Sequence, residues 1–346
     1  MNIGRRRIGP DEPPLVIVEV GINHEGEIGK ALQLVDAAAD AGAEVVKFQC
    51  HITDQEMVPT DMTPGKISTE RLWDIIKRCE LTESEERRVQ AHCAERGVMY
   101  LSTPFSREAA DRLDAMGVPA FKIGSGECNN LPLLEHIAAK GKPMILSTGM
   151  NDLASVERSV AAIRKFGVPV ALMHCTSMYP TPYDKVRLGA IDDLHRTFPD
   201  MPVGLSDHSL GIWTCLGAVA VGASLLEKHF TLSRQWPGPD TGISIEPDEL
   251  ANLIKGSRAV WQARGGSKTR LAEEQPVIDF AYATVVSITP IKAGEVLSRK
   301  NIWVKRPGTG RILADRFEQV VGRRALRDIP ADVHVNPEDV DGFHPE

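Results

Sequence analysis

Lysine is seldom carried inside an apolar run without an anionic partner or ligand, yet Lys47 in EVVKFQ and Lys122 in AFKIGS each interrupt one. Taken singly, each ammonium reads equally well as half of a structural ion pair with a neighbouring carboxylate. Two of them, with Thr103, Ser125 and Ser147 close to the ends of similar runs, point to a cradle for a phosphate or carboxylate. Two histidines, His208 in GLSDHS and His229 in EKHFT, close two further runs, and Asp207, Glu227 and Asp240 lie near them in sequence. Each alone fits a hydrogen-bonded core or surface role; together they fit a divalent cation. Nitrogen and oxygen donors without a thiolate suit Mn2+ or Mg2+ with open positions better than a closed zinc site. Cys175, beside His174 in a strand, reads as packing ahead of a ligand or nucleophile. Asn23 and His24 in INHEG read equally as shapers of the site and as caps for the helix that starts after Gly29.

What these residues share is position. Eight short apolar runs, LVIVEV (15–20), EVVKFQ (44–49), VMYLST (98–103), AFKIGS (120–125), PMILST (143–148), VALMHC (170–175), PVGLSD (202–207) and SLLEKH (224–229), alternate with amphipathic segments of helical period. Repeated βα units of this number predict a (β/α)8 barrel, and no G-x-G-x-x-G opens a helix as a doubly wound sheet would require. Barrel chemistry gathers at the C-terminal strand ends. Those ends carry Glu19; Lys47 and Gln49; Thr103; Lys122 and Ser125; Ser147; Ser177 and Tyr179; Ser206 and His208; and Glu227 and His229.

The pattern predicts a barrel domain over residues 1–270, a linker over 271–285 and a smaller domain over 286–346, where short segments are punctuated by Pro and Gly. Within the smaller domain IKAGEVLSRKNI (291–302) and IPADVHVNPEDV (329–340) form a weak repeat, the mark of pseudo-twofold symmetry. At 346 residues the chain exceeds the size at which one core stops growing. A net charge of −7 with interspersed signs offers no basic stripe for nucleic acid. The basic start gives way to Pro and acid instead of an apolar leader, and no run of transmembrane length follows, so no membrane partner and a cytoplasmic location are expected. Six cysteines without a C-x-x-C pair are expected to be reduced.

The ordered stretches VEVGINHEG, DAGAEVVKFQ, YLSTPFS, FKIGSGECNNLPLL, PMILSTGM, HCTSMYPTP, GLSDHS, EKHFT and PGPD resemble the N-acetylneuraminate (sialic acid) synthase family. IKAGEVLSRKNIWVKRPGTG in the tail resembles that family's antifreeze-like (SAF) domain of β-clip type. The resemblance implies a barrel synthase joining phosphoenolpyruvate to an open-chain N-acetylmannosamine-type sugar, with release of phosphate. It implies phosphoenolpyruvate contacts from Lys47, Thr103, Lys122, Ser125, Ser147, Ser177 and Ser206, and metal ligation by His208 and His229. It implies sugar contacts from Gln49, Tyr179, Asp240, Phe280 and Arg306, and places Glu19, Glu227 and His229 in the catalytic set. It further implies a swapped homodimer in which Arg306 serves the partner's barrel. Ser177 stands where some members carry Asn, and Lys66 where an Asn is expected, which leaves the acceptor sugar open. The rival readings are a Schiff-base aldolase using Lys47 or Lys122, and a non-catalytic sugar-binding protein.

Overall fold

A computed structural model describes residues 1–65 and 68–344, so Lys66 lies outside the described residues. The chain divides into two compact units, Met1–Gly265 and Gly266–Glu346.

In the first unit the eight runs fold as parallel strands: β1 Leu15–Gly21, β2 Val45–Cys50, β3 Met99–Pro104, β4 Phe121–Ile123, β5 Met144–Ser147, β6 Val170–Cys175, β7 Val203–Asp207 and β8 Leu225–His229. They pair in the order β3-β2-β1-β8-β7-β6-β5-β4, and β3 and β4 lie side by side to make a nearly closed barrel. This is the (β/α)8 architecture that the alternation of runs predicts. Several of the helices between strands start on polar caps. Thr82 and Glu85 exchange hydrogen bonds at the head of Glu83–Glu95, and Ser106, Asn130 and Asp152 each accept a first-turn amide; a cap of this kind contributes about 1 kcal/mol. Many end on a glycine in the left-handed region, as Glu83–Glu95 does just before Gly97 (φ +74°).

Side chains of a strand alternate between faces, so residues two apart share the barrel interior. Ile17, Val45, Leu101, Ala120, Ile145, Met173 and Leu225 form the inner apolar layer, joined from below by Ile3 and Ile8 of an N-terminal hairpin. One step of two toward the C-terminal end replaces that layer with Glu19, Lys47, Thr103, Lys122, Ser147, Cys175 and Glu227. The same alternation turns Val46, Phe48, Leu146 and Leu226 outward against the helices.

The second unit has its own core of Val285, Leu297, Ile302, Phe317, Val335 and Val340 around the antiparallel pair β9 Thr284–Ser287 and β10 Ile302–Lys305. Its two repeat copies begin side by side: Ile291 and Ile329 exchange both backbone hydrogen bonds at 2.8 Å. Equivalent turns close each copy, with Ser298 N donating to Asn301 Oδ1 (2.7 Å) and Asn336 N to Asp339 Oδ2 (2.8 Å). The segment read as a linker contains the helix Gln275–Ala281 and the start of β9.

Candidate active site

At the C-terminal mouth of the barrel the polar layer encloses a cavity of about 310 Å³. Its walls include Glu19, Lys47, Gln49, Thr103, Lys122, Ser125, Ser147, Ser177, Tyr179, Ser206, His208, Glu227 and His229. These strand-end residues therefore face one space, whereas Asp207, weighed with the two histidines as part of a cation site, does not line it: its carboxylate pairs with Lys228 Nζ at 2.7 Å and accepts from Ser209 and Thr214. Asp240 stands behind His229, its Oδ2 3.8 Å from Nδ1. Phe280 and Arg306 belong to the second unit, where both are exposed.

The floor is a quartet of buried charges. Lys47 Nζ lies 2.7 Å from Glu19 Oε2 and 3.8 Å from Glu227 Oε2, and donates to Thr103 Oγ1 at 3.0 Å. Lys122 Nζ lies 3.2 Å from Glu227 Oε1 and donates to Ser147 Oγ at 2.8 Å, while Ser206 Oγ donates to Glu227 at 3.0 Å. Both lysines are thus ion-paired and cavity-lining at once. The four groups differ in their hold on a proton. Burial would raise Glu227, but Lys122 and Lys47 outweigh it and keep the carboxyl below its usual range. Burial, seconded by Glu227's charge, pushes Glu19 up despite Lys47. Lys47 is held above its usual value because Glu19 and Glu227 overcome its burial. Lys122 is held below, by burial and then by Lys47, with Glu227 only partly offsetting them.

Strand geometry opens the room above this floor. Between Glu19 and Gly21 the register of β1 on β2 slips, a bulge at which Gly21 takes φ +56°. A Cβ there would come within 3.4 Å of both Gln49 Nε2 and Glu19 Oε1. Across the mouth Gly149 N donates to Ser125 Oγ at 3.0 Å, and a Cβ on Gly149 would stand 2.5 Å from Ser177 Oγ and 2.7 Å from Ser125 Oγ. Lys122, Ser125, Ser147 and Ser177, with the side-chain-free Gly149 leaving room between them, make a pocket for a tetrahedral oxyanion.

His208 and His229 converge with ring centroids 5.4 Å apart, and Tyr179 packs on His208 at 4.2 Å with the rings tilted by 30°. His208 Nδ1 faces the Thr176 carbonyl at 3.1 Å and Cys175 Sγ at 3.7 Å, which commits its proton to that side and frees Nε2. Buried His229 Nδ1 has no hydrogen-bond partner among the described residues, and burial followed by His208's charge holds this ring neutral, well below its usual value. Against its burial, the Cys175 thiol and the Thr176 carbonyl hold His208 above its usual value, so it offers Nε2 once that proton leaves. With neutral His229 it would then fit a divalent ion that draws its other ligands from water and substrate. Among the described residues no third His, Cys, Asp or Glu joins them in a closed cluster.

Sequence reasoning missed Phe105, Gly149 and Met150 as parts of the mouth; only Gly149, in the motif STGM, carried a visible signal. Cys175, read as packing, lines the cavity, and His208 draws its thiol below the usual value against the effect of burial. Neither Asn23 nor His24 caps the following helix, Ile28–Asp40, whose N-cap is Glu27. The chain turns first: His24 Nδ1 accepts from Gly26 N, and Asn23 Nδ2 donates to the Phe230 carbonyl and to Ser244 Oγ.

Comparison with known proteins gives the same partition. The NeuB family profile matches residues 34–269 and the SAF domain profile residues 282–341. The chain is 38% identical to the N,N'-diacetyllegionaminic acid synthase of Campylobacter jejuni, over 92% of this chain and 97% of that one. It is 31% identical to human N-acetylneuraminate-9-phosphate synthase, over 97% and 95% of the two chains. The crystal structure of the N-acetylneuraminic acid (sialic acid) synthetase of Leptospira borgpetersenii in complex with citrate superposes with a TM-score of 0.73 at 33% identity, covering 80% of this chain and 94% of that one.

Proposed function

This chain belongs to the NeuB family, and from that membership and the cavity at the barrel mouth we propose that it condenses phosphoenolpyruvate with an open-chain N-acetylated amino sugar. The products are a nonulosonic acid and phosphate. One observation carries the reading: two lysines, two carboxylates, a set of hydroxyls and two imidazoles line a single cavity. Buried ion pairs do little for stability, so three of them among four charges in a cavity wall argue for a ligand.

In this reading Lys47 and Lys122, with Thr103, Ser125, Ser147, Ser177 and Ser206, hold the phosphate and carboxylate of phosphoenolpyruvate. Gln49, Tyr179 and Asp240 orient the sugar so that its aldehyde carbon meets carbon three of phosphoenolpyruvate. Held by His208 and His229, a divalent cation, Mn2+ or Mg2+, would supply Lewis acidity at the aldehyde oxygen. As the carbon–carbon bond forms, the aldehyde oxygen takes a proton and positive charge develops at carbon two. Water adds there and gives up a proton. Glu19 is the better acceptor, because burial raises its affinity for a proton whereas the two lysines keep Glu227 ionised. Glu227 instead offsets the developing positive charge. Breaking the bond from carbon two to the phosphate oxygen then releases phosphate, which takes up the proton of the new hydroxyl and leaves the ketone.

The partner we infer is a second copy of this chain. Met150, Met178, Tyr183, Leu210 and Trp213 are exposed, from 45% for Met178 to 73% for Met150, on the loops and helix starts that follow β5, β6 and β7. An apolar surface of this kind calls for cover, and the exposed Phe280 and Arg306 of the SAF unit are suited to reach a partner's mouth. The reaction suits the cytoplasm, where the six unpaired cysteines stay reduced.

The test is phosphate release from phosphoenolpyruvate with N-acetylmannosamine, its 6-phosphate and 6-deoxy-diacetamido sugars, with Mn2+ or Mg2+ supplied. Turnover of one acceptor is expected; none with any would refute the reading. A second reading, a Schiff-base aldolase, draws on the lowered ammonium of Lys122. Borohydride trapping of pyruvate on Lys122 would favour it.

A further inference from the structure

Behind the cavity wall runs a chain of buried hydrogen bonds that the reaction as described does not use. Glu19 Oε1 accepts from Gln49 Nε2 at 3.0 Å, and Gln49 Oε1 lies 2.9 Å from His51 Nε2. His51 Nδ1 in turn faces both oxygens of Glu56, at 2.9 and 3.1 Å. The side chains of His51 and Glu56 are only 3% and 6% exposed, and neither lines the cavity. The ring lies flat on Phe105, centroids 4.5 Å apart and planes 12° apart, and Phe105 is itself part of the wall. Glu56 ends the short helix Thr53–Glu56, which is pinned at its head by Glu80, whose carboxylate accepts from Thr53 N and Oγ1.

Resting on the proposed function, we propose that His51 and Glu56 are positioning residues that act through Gln49, clamping its amide so that the NH2 end faces Glu19. A carboxamide has nearly the same shape in either orientation, so its surroundings must choose. A carboxylate only accepts, which obliges Glu56 to take the proton of Nδ1. Gln49 Oε1 likewise only accepts, and so takes the proton of Nε2. With Glu19 ionised and the amide turned this way, the ring donates at both ends, held flat by Phe105. Were the ring to carry a proton on Nδ1 alone, its Nε2 could only accept. Gln49 would turn over, pointing its carbonyl oxygen at Glu19, and Glu19 would then need a proton to satisfy it. The clamp thus selects which face Gln49 shows the sugar and the charge state that Glu19 holds beside it. His51→Leu and Gln49→Met remove the two halves of the device while keeping apolar bulk.

A double-mutant cycle reads the coupling. His51→Leu and Gln49→Met should each lower kcat/KM for the sugar about 10- to 100-fold, with KM for phosphoenolpyruvate little changed. The double variant should be no worse than the poorer single one, and His51→Gln, which can still donate to Gln49, should recover part of the loss. Multiplied losses in the double variant, or equal losses for both substrates, would overturn the proposal. Neutron diffraction on wild-type crystals gives an answer that needs no turnover. Deuterium on both His51 nitrogens and on Gln49 Nε2 facing Glu19 is expected, and a reversed amide would overturn the clamp. A wild-type enzyme that turns over no acceptor would defeat the functional reading alone.

Discussion

Replacing Lys122 by Met keeps most of the length of the side chain and removes one cation from the buried quartet, so its two effects can be separated. The first is on phosphoenolpyruvate. A charge-assisted hydrogen bond to an anion is worth about 1.5–3 kcal/mol, which predicts a rise in its Michaelis constant of roughly 10- to 150-fold, with the sugar's constant much less affected. The second is on stability. Glu227 loses the nearer of its two cations, at 3.2 Å, and keeps Lys47 at 3.8 Å. Breaking a buried pair costs about 3–5 kcal/mol; the lower end applies, because Lys47 remains and burial already disfavours the charged form of Lys122. The pH dependence has a definite sign. Glu227 is depressed in the fold, so it contributes stability that is present above the unfolded carboxyl value and lost as pH falls through the folded one. In the variant that loss moves to higher pH. Urea melts from pH 4 to 8 should therefore show a gap between wild type and variant that is widest near neutrality and narrows toward acid. Steady-state assays with each substrate varied complete the test. An unchanged constant for phosphoenolpyruvate, or a stability gap that does not vary with pH, would refute the reasoning.

Gly149→Ala places a methyl 2.5 Å from Ser177 Oγ and 2.7 Å from Ser125 Oγ; it should raise the phosphoenolpyruvate constant at least about tenfold, as filling an oxyanion pocket would. A thermal shift assay with inorganic phosphate should show weaker stabilisation of this variant than of wild type. His229→Ala and His208→Ala should abolish turnover with little change in melting temperature. EDTA should do the same to wild type until Mn2+ or Mg2+ is returned, and full activity after thorough chelation would refute a metal. Inactive Arg306→Ala and His229→Ala chains, refolded together, should recover about one quarter of wild-type activity if the arginine acts on the partner's barrel, since half of the chains' pairings are mixed and each mixed dimer has one working site. Recovery no better than the parents would mean that it does not.

The barrel was legible because strand and helix periods alternate along the chain without interruption, and the polar layer because period two carries Ile17 to Glu19, Val45 to Lys47 and Leu225 to Glu227. Contacts set by cross-strand register were hidden. That Glu227 would sit between two lysines depends on β8, β2 and β4 closing around one axis, and nothing near Glu227 in sequence announces it. Phe105 and Met150 look like ordinary loop residues until the mouth is assembled. Of the two readings open for the INHEG loop, the cap fails because its polar side chains bind the turn and the end of β8, a choice made by tertiary packing and not by local propensity.

The quartet also bears on how this barrel would respond to selection for heat resistance alone. Four buried charges that cancel one another contribute less to folding than well-packed apolar side chains of similar volume would. A population of variants screened only for survival at high temperature should therefore accumulate Met, Leu or Gln at positions 19, 47, 122 and 227, and become sturdier as it becomes inert. Screening for turnover as well should keep all four and drive stabilising changes to the helices and to the apolar layer beneath, where Ile17, Leu101 and Ile145 pack without touching the cavity.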